Sequence, residues 1–287
     1  GVIGGVYAAE EGLDEAVWQA VYDQYRPAST EDPIPRGTVG RVVSLADRLD
    51  TLVGMFGMGL VPTGSKDPFG LRRVAQGAVR IVLDGELRLD LEEAALRALE
   101  LYGERLEIEG DELIGTLRPF LHDRVRHLLG LENFAYDEIE AALAAGASDL
   151  PDLRERVAAL HAVRSTEGFL DVVLSAKRII NIVKDVDTEA FDASLLTEAA
   201  EEELFAAAEE LEKDLSQMRL AGDHAAGFAR IAQFAGVLDR FFVEVLVMDE
   251  NPQLRANRIA LLQSIHRTLS RSARLTEMVV DRSDTRK

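Results

Sequence analysis

Apolar residues return every third or fourth position along almost the whole of this chain, the period of an amphipathic α-helix. Leu13, Val17, Val21 and Tyr25 stand four apart and predict a helix with those residues on its apolar face. Pro27 stops it, because the residue before a proline is pushed out of the helical region. A polar loop with Pro33, Pro35 and Gly37 follows. Thr38 suits an N-cap, and Val39, Val42, Val43, Ala46, Leu49, Val53 and Phe56 form the apolar face of a second helix. The next start is marked by Asp67 as N-cap with Pro68 in the first helical position, ahead of Leu71, Val74, Ala75, Ala78, Ile81 and Val82. Asp84 and Gly85 make a turn, residues 87–91 read as a short extended piece, and a helix begins near 92. Beyond it the pattern predicts helices over 111–129, 135–145, 150–164, 167–184, 195–219, 223–247 and 253–280. Strand alternation is nearly absent, so the predicted class is all-α, a string of helical bundles.

At 287 residues the chain is long enough for two or three compact units. It contains no cysteine, which excludes disulfide and thiolate chemistry and makes a reducing cytoplasm the expected compartment. No apolar run approaches the roughly 20 residues of a membrane helix; the longest, over 241–248, is interrupted by Glu244. The first residues carry no basic region and no long apolar stretch, so they do not read as a signal peptide. They also lack an opening Met, and a processed end or a piece of something longer is expected. The formal charge of −19 argues against indiscriminate binding to nucleic acid or anionic membranes. That average hides a polarity: acidic residues dominate from Asp185 to Asp214, and arginines dominate from Arg255 to Lys287.

Asp47 and Asp50 lie three apart on the second predicted helix and so are neighbours. Asp50 shares the phase of Val43, Ala46 and Val53, which puts a carboxylate on or beside an apolar face, costly unless paired or metal-bound. One reading is a ligand of a metal-dependent phosphohydrolase of the HD type; the other is an aspartate bonding a buried arginine or a helix end. An HD site needs several histidines, and the first in this chain is His122, so the ligand set for metal hydrolysis is missing. His122 and Asp123 are literally an HD dipeptide, with His127 five positions on. Five positions are about 500° of helix rotation, so the two imidazoles diverge instead of sharing a metal.

GLVPTGSK over 59–66 departs from a phosphate-binding P-loop, which needs lysine directly after its last glycine and a strand in front. Lys66, Arg72 and Arg73 nevertheless gather at a predicted helix N-terminus, where backbone N–H groups favour anions. A contact to a phosphate backbone and a plain structural loop are both open there. Arg267, Arg271 and Arg274 form one stripe on the last predicted helix, which Arg255 and Arg258 begin and whose buried side is Ile259, Leu262, Ile265 and Leu269. Lys177, Arg178 and Lys184 on the 167–184 helix extend this patch. A charge run is ordinarily a solvated face, yet acidic partners are scarce on this helix, and composition alone leaves RNA binding evenly balanced against that.

SLADRLDTLVG over 44–54, followed by GLVPTGSKDPFGLRR over 59–73, resembles the bacterial glycyl-tRNA synthetase beta subunit. FFVEVLVM over 241–248 and LRANRIALL over 254–262 resemble that subunit's terminal anticodon-binding domain. The resemblance runs from Gly1 to about Met278. It implies an HD-like helical domain over 1–115 lacking its N-terminal part, a helical connector over 116–168, and an anticodon-binding domain of the DALR type over 169–287, a type shared with arginyl-tRNA synthetase. It also implies a division of labour. ATP and Mg2+ serve aminoacylation in an alpha subunit or a fused alpha region, whereas the beta chain recognises glycine tRNA within a hetero-oligomer or dimer. No catalytic residue, metal or cofactor is then expected in this part. Asp50 matches the trailing aspartate of the HD pattern as a vestigial position, and Gln24 departs from the histidine expected before Tyr25. The tRNA contacts that follow are Arg255, Arg258, Arg267, Arg271, Arg274, Lys177, Arg178 and Lys184 in the anticodon domain, and Lys66, Arg72 and Arg73 in the HD-like domain. The rivals are an HD-type phosphohydrolase and a structural scaffold for the alpha subunit.

Overall fold

The computed structural model describes residues 1–184, 186 and 191–280, and every regular element among them is a helix, as the all-α reading expects. The chain divides into two compact units, residues 1–133 with 147–154, and residues 134–146 with 155 onward.

The first unit holds α1 (Val2–Glu10), α2 (Glu15–Asp23), α3 (Gly37–Gly57), α4 (Leu71–Asp84), α5 (Leu91–Tyr102) and α6 (Gly110–Leu131). Helix α3 is its axis and packs against α2, α4, α5 and α6. Leu49, Leu52, Val53 and Phe56 of α3 are buried with Ala75, Ala78 and Val82 of α4 and Leu113 and Leu117 of α6. Removing that much apolar surface from water is what holds the bundle.

The apolar face predicted for α3 is correct only in its second half. Val39, Val42, Val43 and Ala46 are exposed, and the buried side there carries Gly40, Ser44 and Arg48. Helix α2 decides this: it approaches α3 at Gly40, where a side chain would meet the Ala20 backbone at 3.7 Å. The same docking exposes Leu13, Val17 and Tyr25 and buries Ala20 and Asp23 instead. Polar groups on the contact side fasten the loop after α2. Ser44 Oγ donates to the carbonyls of Gln24 and Arg26 at 2.7 and 2.9 Å. The buried Arg48 guanidinium donates to those of Gln24, Tyr25 and Pro27 at 3.2–3.3 Å. Gln24 enters this network through its carbonyl, so the departure from histidine there leaves the loop's anchorage intact.

Helix α4 starts at Leu71, three residues later than expected. Asp67 still caps it, from a turn closed by Gly70 in the left-handed region (φ 65°). Its carboxylate accepts from the N–H groups of Leu71 at 2.8 Å and Arg72 at 3.0 Å.

Helix α7 (Tyr136–Leu143) lies in the second unit, to which α8 (Leu150–Val163) contributes its residues from 155 on. It continues through α9 (Glu167–Val183), α10 (Ala199–Leu220), α11 (His224–Gln233), α12 (Ala235–Glu244) and α13 (Pro252–Leu269). Helix α9 is the axis here and packs on α11, α12 and α13. Phe169 and Phe228 meet edge to face at 6.1 Å in the core, beside the buried Leu238, Phe241, Leu262 and Ile265.

Two predicted helices are shorter than their apolar period. The 223–247 segment breaks at Phe234 into α11 and α12. Gly168, at the start of α9, lies so close to the end of α11 that a Cβ would sit 3.0 Å from the Ala232 carbonyl. The 253–280 segment ends at Leu269, and the chain leaves the helix because tertiary partners claim its backbone. Arg274 N donates to Ala141 O at 2.7 Å, Arg156 to Ser272 O at 3.0 Å, and Val279 N to the Asp137 carboxylate at 2.7 Å. The bond from Arg274 N also satisfies Ala141 O at the end of α7, and Arg156 adds a second bond to Ala142 O, which already accepts from Ala145 N.

Candidate nucleic-acid interface

The arginines of the C-terminal segment separate into buried and presented groups. Arg258 is 4 % exposed and is bonded to the carboxylates of Glu201 and Asp249 and to the carbonyl of Leu246. It is a buried ion-pair centre, and the expectation that it contacts tRNA phosphate is withdrawn. Arg255 is half-buried and donates to the Asp249 carbonyl at 3.0 Å. Arg267, Arg271 and Arg274 are exposed. They are not one helical stripe, because α13 ends before two of them, yet the turn after Leu269 brings all three around one concavity of about 670 Å³.

Ile180 of α9 lines the same concavity. Lys177 and Lys184 lie within one helix turn of it on the same side of α9. Arg178 points elsewhere: its guanidinium stacks on the Phe242 ring of α12 at 4.0 Å. Among the described residues no ion pair engages Arg267, Arg274, Lys177 or Lys184, whereas Arg271 pairs with Glu212. That pair is half exposed, and such pairs contribute about 0–1 kcal/mol, so Glu212 holds Arg271 only weakly. His266, on the same rim, adds no charge near neutrality: burial of the ring, followed by the nearby Arg274, pushes its pKa down.

A second, larger groove of about 830 Å³ adjoins the first and shares Arg267 and Arg271 with it. It runs between α10 and α13, with the rings of Phe191 and Phe205 4.9 Å apart at one wall. Asn257 holds that wall in place, since its side chain both accepts from Asp192 N at 2.8 Å and donates to Asp192 O at 3.0 Å.

In the first unit the basic cluster is mostly structural. Arg72 donates to the Gly64 carbonyl at 2.6 Å and lies 3.9 Å from the Asp67 carboxylate, tying the loop to its helix. Asp67 already occupies the N–H groups at the start of α4, so the expected anion site there is filled by the chain itself. Lys66 and Arg73 are exposed. Asp50 is exposed as well, contrary to its expected place beside the apolar face, and its carbonyl accepts from Tyr102 Oη at 3.1 Å. No cluster of three potential metal ligands among the described residues includes Asp47 or Asp50.

Two family models match successive parts of the chain. The family model described as glycyl-tRNA synthetase beta subunit matches residues 1–144, half of the chain. The chain belongs to the glycyl-tRNA synthetase beta subunit family. A second model, the DALR anticodon binding domain, matches residues 172–279, the stretch that carries both grooves. Among curated relatives, the glycine–tRNA ligase beta subunit of Delftia acidovorans is 37 % identical over 281 residues, covering 97 % of this chain and 39 % of that protein. That of Acidobacterium capsulatum is 40 % identical over 294 residues, covering 97 % and 41 %. The chain therefore spans about two fifths of the length of these synthetase subunits. The resemblance stated from the motifs at 44–54, 59–73, 241–248 and 254–262 is confirmed.

Several residues that shape the synthetase chain's arginine surface carry no signal in one dimension. Glu201 reads as one more residue of an acidic run, and its bond to Arg258 spans 57 positions. Arg156 lies 116 residues from the Ser272 carbonyl it holds. Phe191 and Phe205 were legible only as apolar positions.

Proposed function

We propose that this chain is the tRNA-recognition part of a glycine–tRNA ligase, holding glycine tRNA so that an alpha subunit or fused alpha region can aminoacylate it. ATP and Mg2+ act in that alpha region, and the compartment is the cytoplasm. The observation that carries the reading is the gathering of Arg267, Arg271 and Arg274 around one concavity within the stretch matched by the DALR anticodon-binding model. Guanidinium groups gathered on one concavity suit bidentate contacts to phosphates of one strand. Lys177 and Lys184 lengthen the track on α9, with Lys66 and Arg73 as contacts elsewhere on the tRNA.

The test is a titration of the chain against glycine tRNA and an anticodon-substituted version at two salt concentrations. Preference for the native anticodon with a clear salt slope is expected. Replacing Arg267, Arg271 and Arg274 with alanine should lower that slope by about 2–3, since each lost phosphate contact removes about 0.7–0.9. An unchanged slope removes these arginines from the reading.

A scaffolding role draws on a separate observation, the exposed apolar positions Val39, Val42 and Val43 of α3 together with Ile3 and Tyr7 of α1. It predicts firm binding to the alpha subunit with no affinity for tRNA. The HD-type phosphohydrolase has no comparable support, because Asp50 stands without histidine partners.

A further inference from the structure

The larger groove has a composition that phosphate binding leaves unexplained. Its wall is aromatic, formed by the half-buried Phe191 and Phe205, and Ala208, Ala260 and Leu261 leave the space beside the rings open. At about 830 Å³ it falls within the range of small-molecule sites. Two carboxylates among the described residues reach it, and they differ. Glu212 is committed, accepting from Thr268 Oγ1 at 2.7 Å and from Arg271. Glu209 is exposed, and no hydrogen bond or ion pair engages it among the described residues.

We propose that this groove seats one unstacked base of the anticodon loop against Phe191 and Phe205, and that Glu209 selects a base bearing an exocyclic amino group. The proposal rests on the tRNA-binding reading above and deepens it. Single-stranded RNA is read by splaying bases out, stacking them on aromatic rings and bonding their edges. An ionised carboxylate only accepts hydrogen bonds. It therefore pairs with the N4 amino group of cytosine and repels the O4 carbonyl that uracil places there. Arg267 and Arg271 belong to both grooves, so they stand where the phosphates flanking a seated base must pass. The grip of Asn257 on Asp192 fixes the residue next to Phe191, so the aromatic wall is set before RNA arrives.

The experiment uses the full chain, glycine tRNA, and tRNAs carrying uracil at one anticodon position each. At one position uracil should weaken binding by roughly tenfold or more. Glu209→Gln should narrow that gap to roughly threefold or less, because an amide both donates and accepts and so tolerates either base. Phe205→Leu should weaken native tRNA binding by roughly tenfold with the salt slope unchanged. Glu209 is exposed, so its variant keeps the wild-type melting temperature, which is measured alongside. Equal binding of every uracil tRNA by the wild type, or undiminished discrimination by the glutamine variant, overturns base selection while leaving the tRNA reading standing. A wild-type chain without salt-dependent affinity for any tRNA overturns both.

Discussion

Arg258 and Glu201 are bonded to each other in the interior of the second unit, where Arg258 also pairs with Asp249 and Glu201 also accepts from the N–H groups of Thr197 and Glu198. Removing the arginine leaves the Glu201 carboxylate buried without its charged partner. Arg258→Ala should therefore cost about 3–5 kcal/mol, measured by urea denaturation. The pair also sets an acid limit. Burial raises the Glu201 carboxyl, but bonds from Arg258 and from the N–H groups of Thr197 and Glu198 outweigh it and hold the group below its ordinary value of 4.5. The unfolded chain then takes up the proton first as pH falls, so stability is complete above that value and declines as pH drops through the lowered one. Asp23, held down by Arg36 against its own burial, acts with the same sign. The melting temperature should drop between pH 6 and pH 3, and Glu201→Gln should flatten that dependence. An equally steep curve in the variant would remove Glu201 as a cause.

At the scale of elements, one close approach and one arginine anchor decide how helices sit and end. Helix α1 lies on α2 at Gly5, where a Cβ would be 2.7 Å from Tyr22 Cα and 2.9 Å from Tyr22 N. Both are backbone atoms and cannot swing away. Gly5→Ala should destabilise the first unit by about 1–3 kcal/mol and speed amide exchange along α1 before α4. The end of α13 depends on Arg156, which donates to the carbonyls of Ala142, Gly146 and Ser272. Arg156→Ala removes the side-chain donor to the Gly146 and Ser272 carbonyls at a cost of about 1–3 kcal/mol. It should also weaken tRNA binding without changing the salt slope, because Arg271 and Arg274 lose their placement and keep their charge. A reduced slope would mean that Arg156 itself meets phosphate.

For the molecule as a whole, the net charge is −19, although Arg267 and Arg271 line both grooves of the second unit. Long-range attraction for RNA is therefore weak, and the proposed tRNA binding rests on the local cluster once screening removes the repulsion beyond about 8–10 Å. The salt slope for glycine tRNA should correspond to the few phosphates that cluster can reach, well below that of a uniformly basic protein. A slope of about 6 or more would require a broader contact surface than these arginines supply.

The sequence alone determined the helical class, because a period of three to four apolar positions is a local property that each helix satisfies by itself. It also determined the family, through runs at 44–54 and 59–73 whose residues are contiguous. Only the tertiary structure decided which side of an amphipathic helix is buried. Val39, Val42 and Val43 have the right phase for a core, and they are exposed because α2 packs on the Gly40 side. The arginines divide for the same reason. Arg258 and Arg267 look alike in the sequence, but a carboxylate 57 residues away claims one, and the early end of α13 brings Arg271 and Arg274 beside the other. Helix phase is written between near neighbours; burial, ion pairing and helix termination are settled by partners distant in sequence, and no local pattern records them.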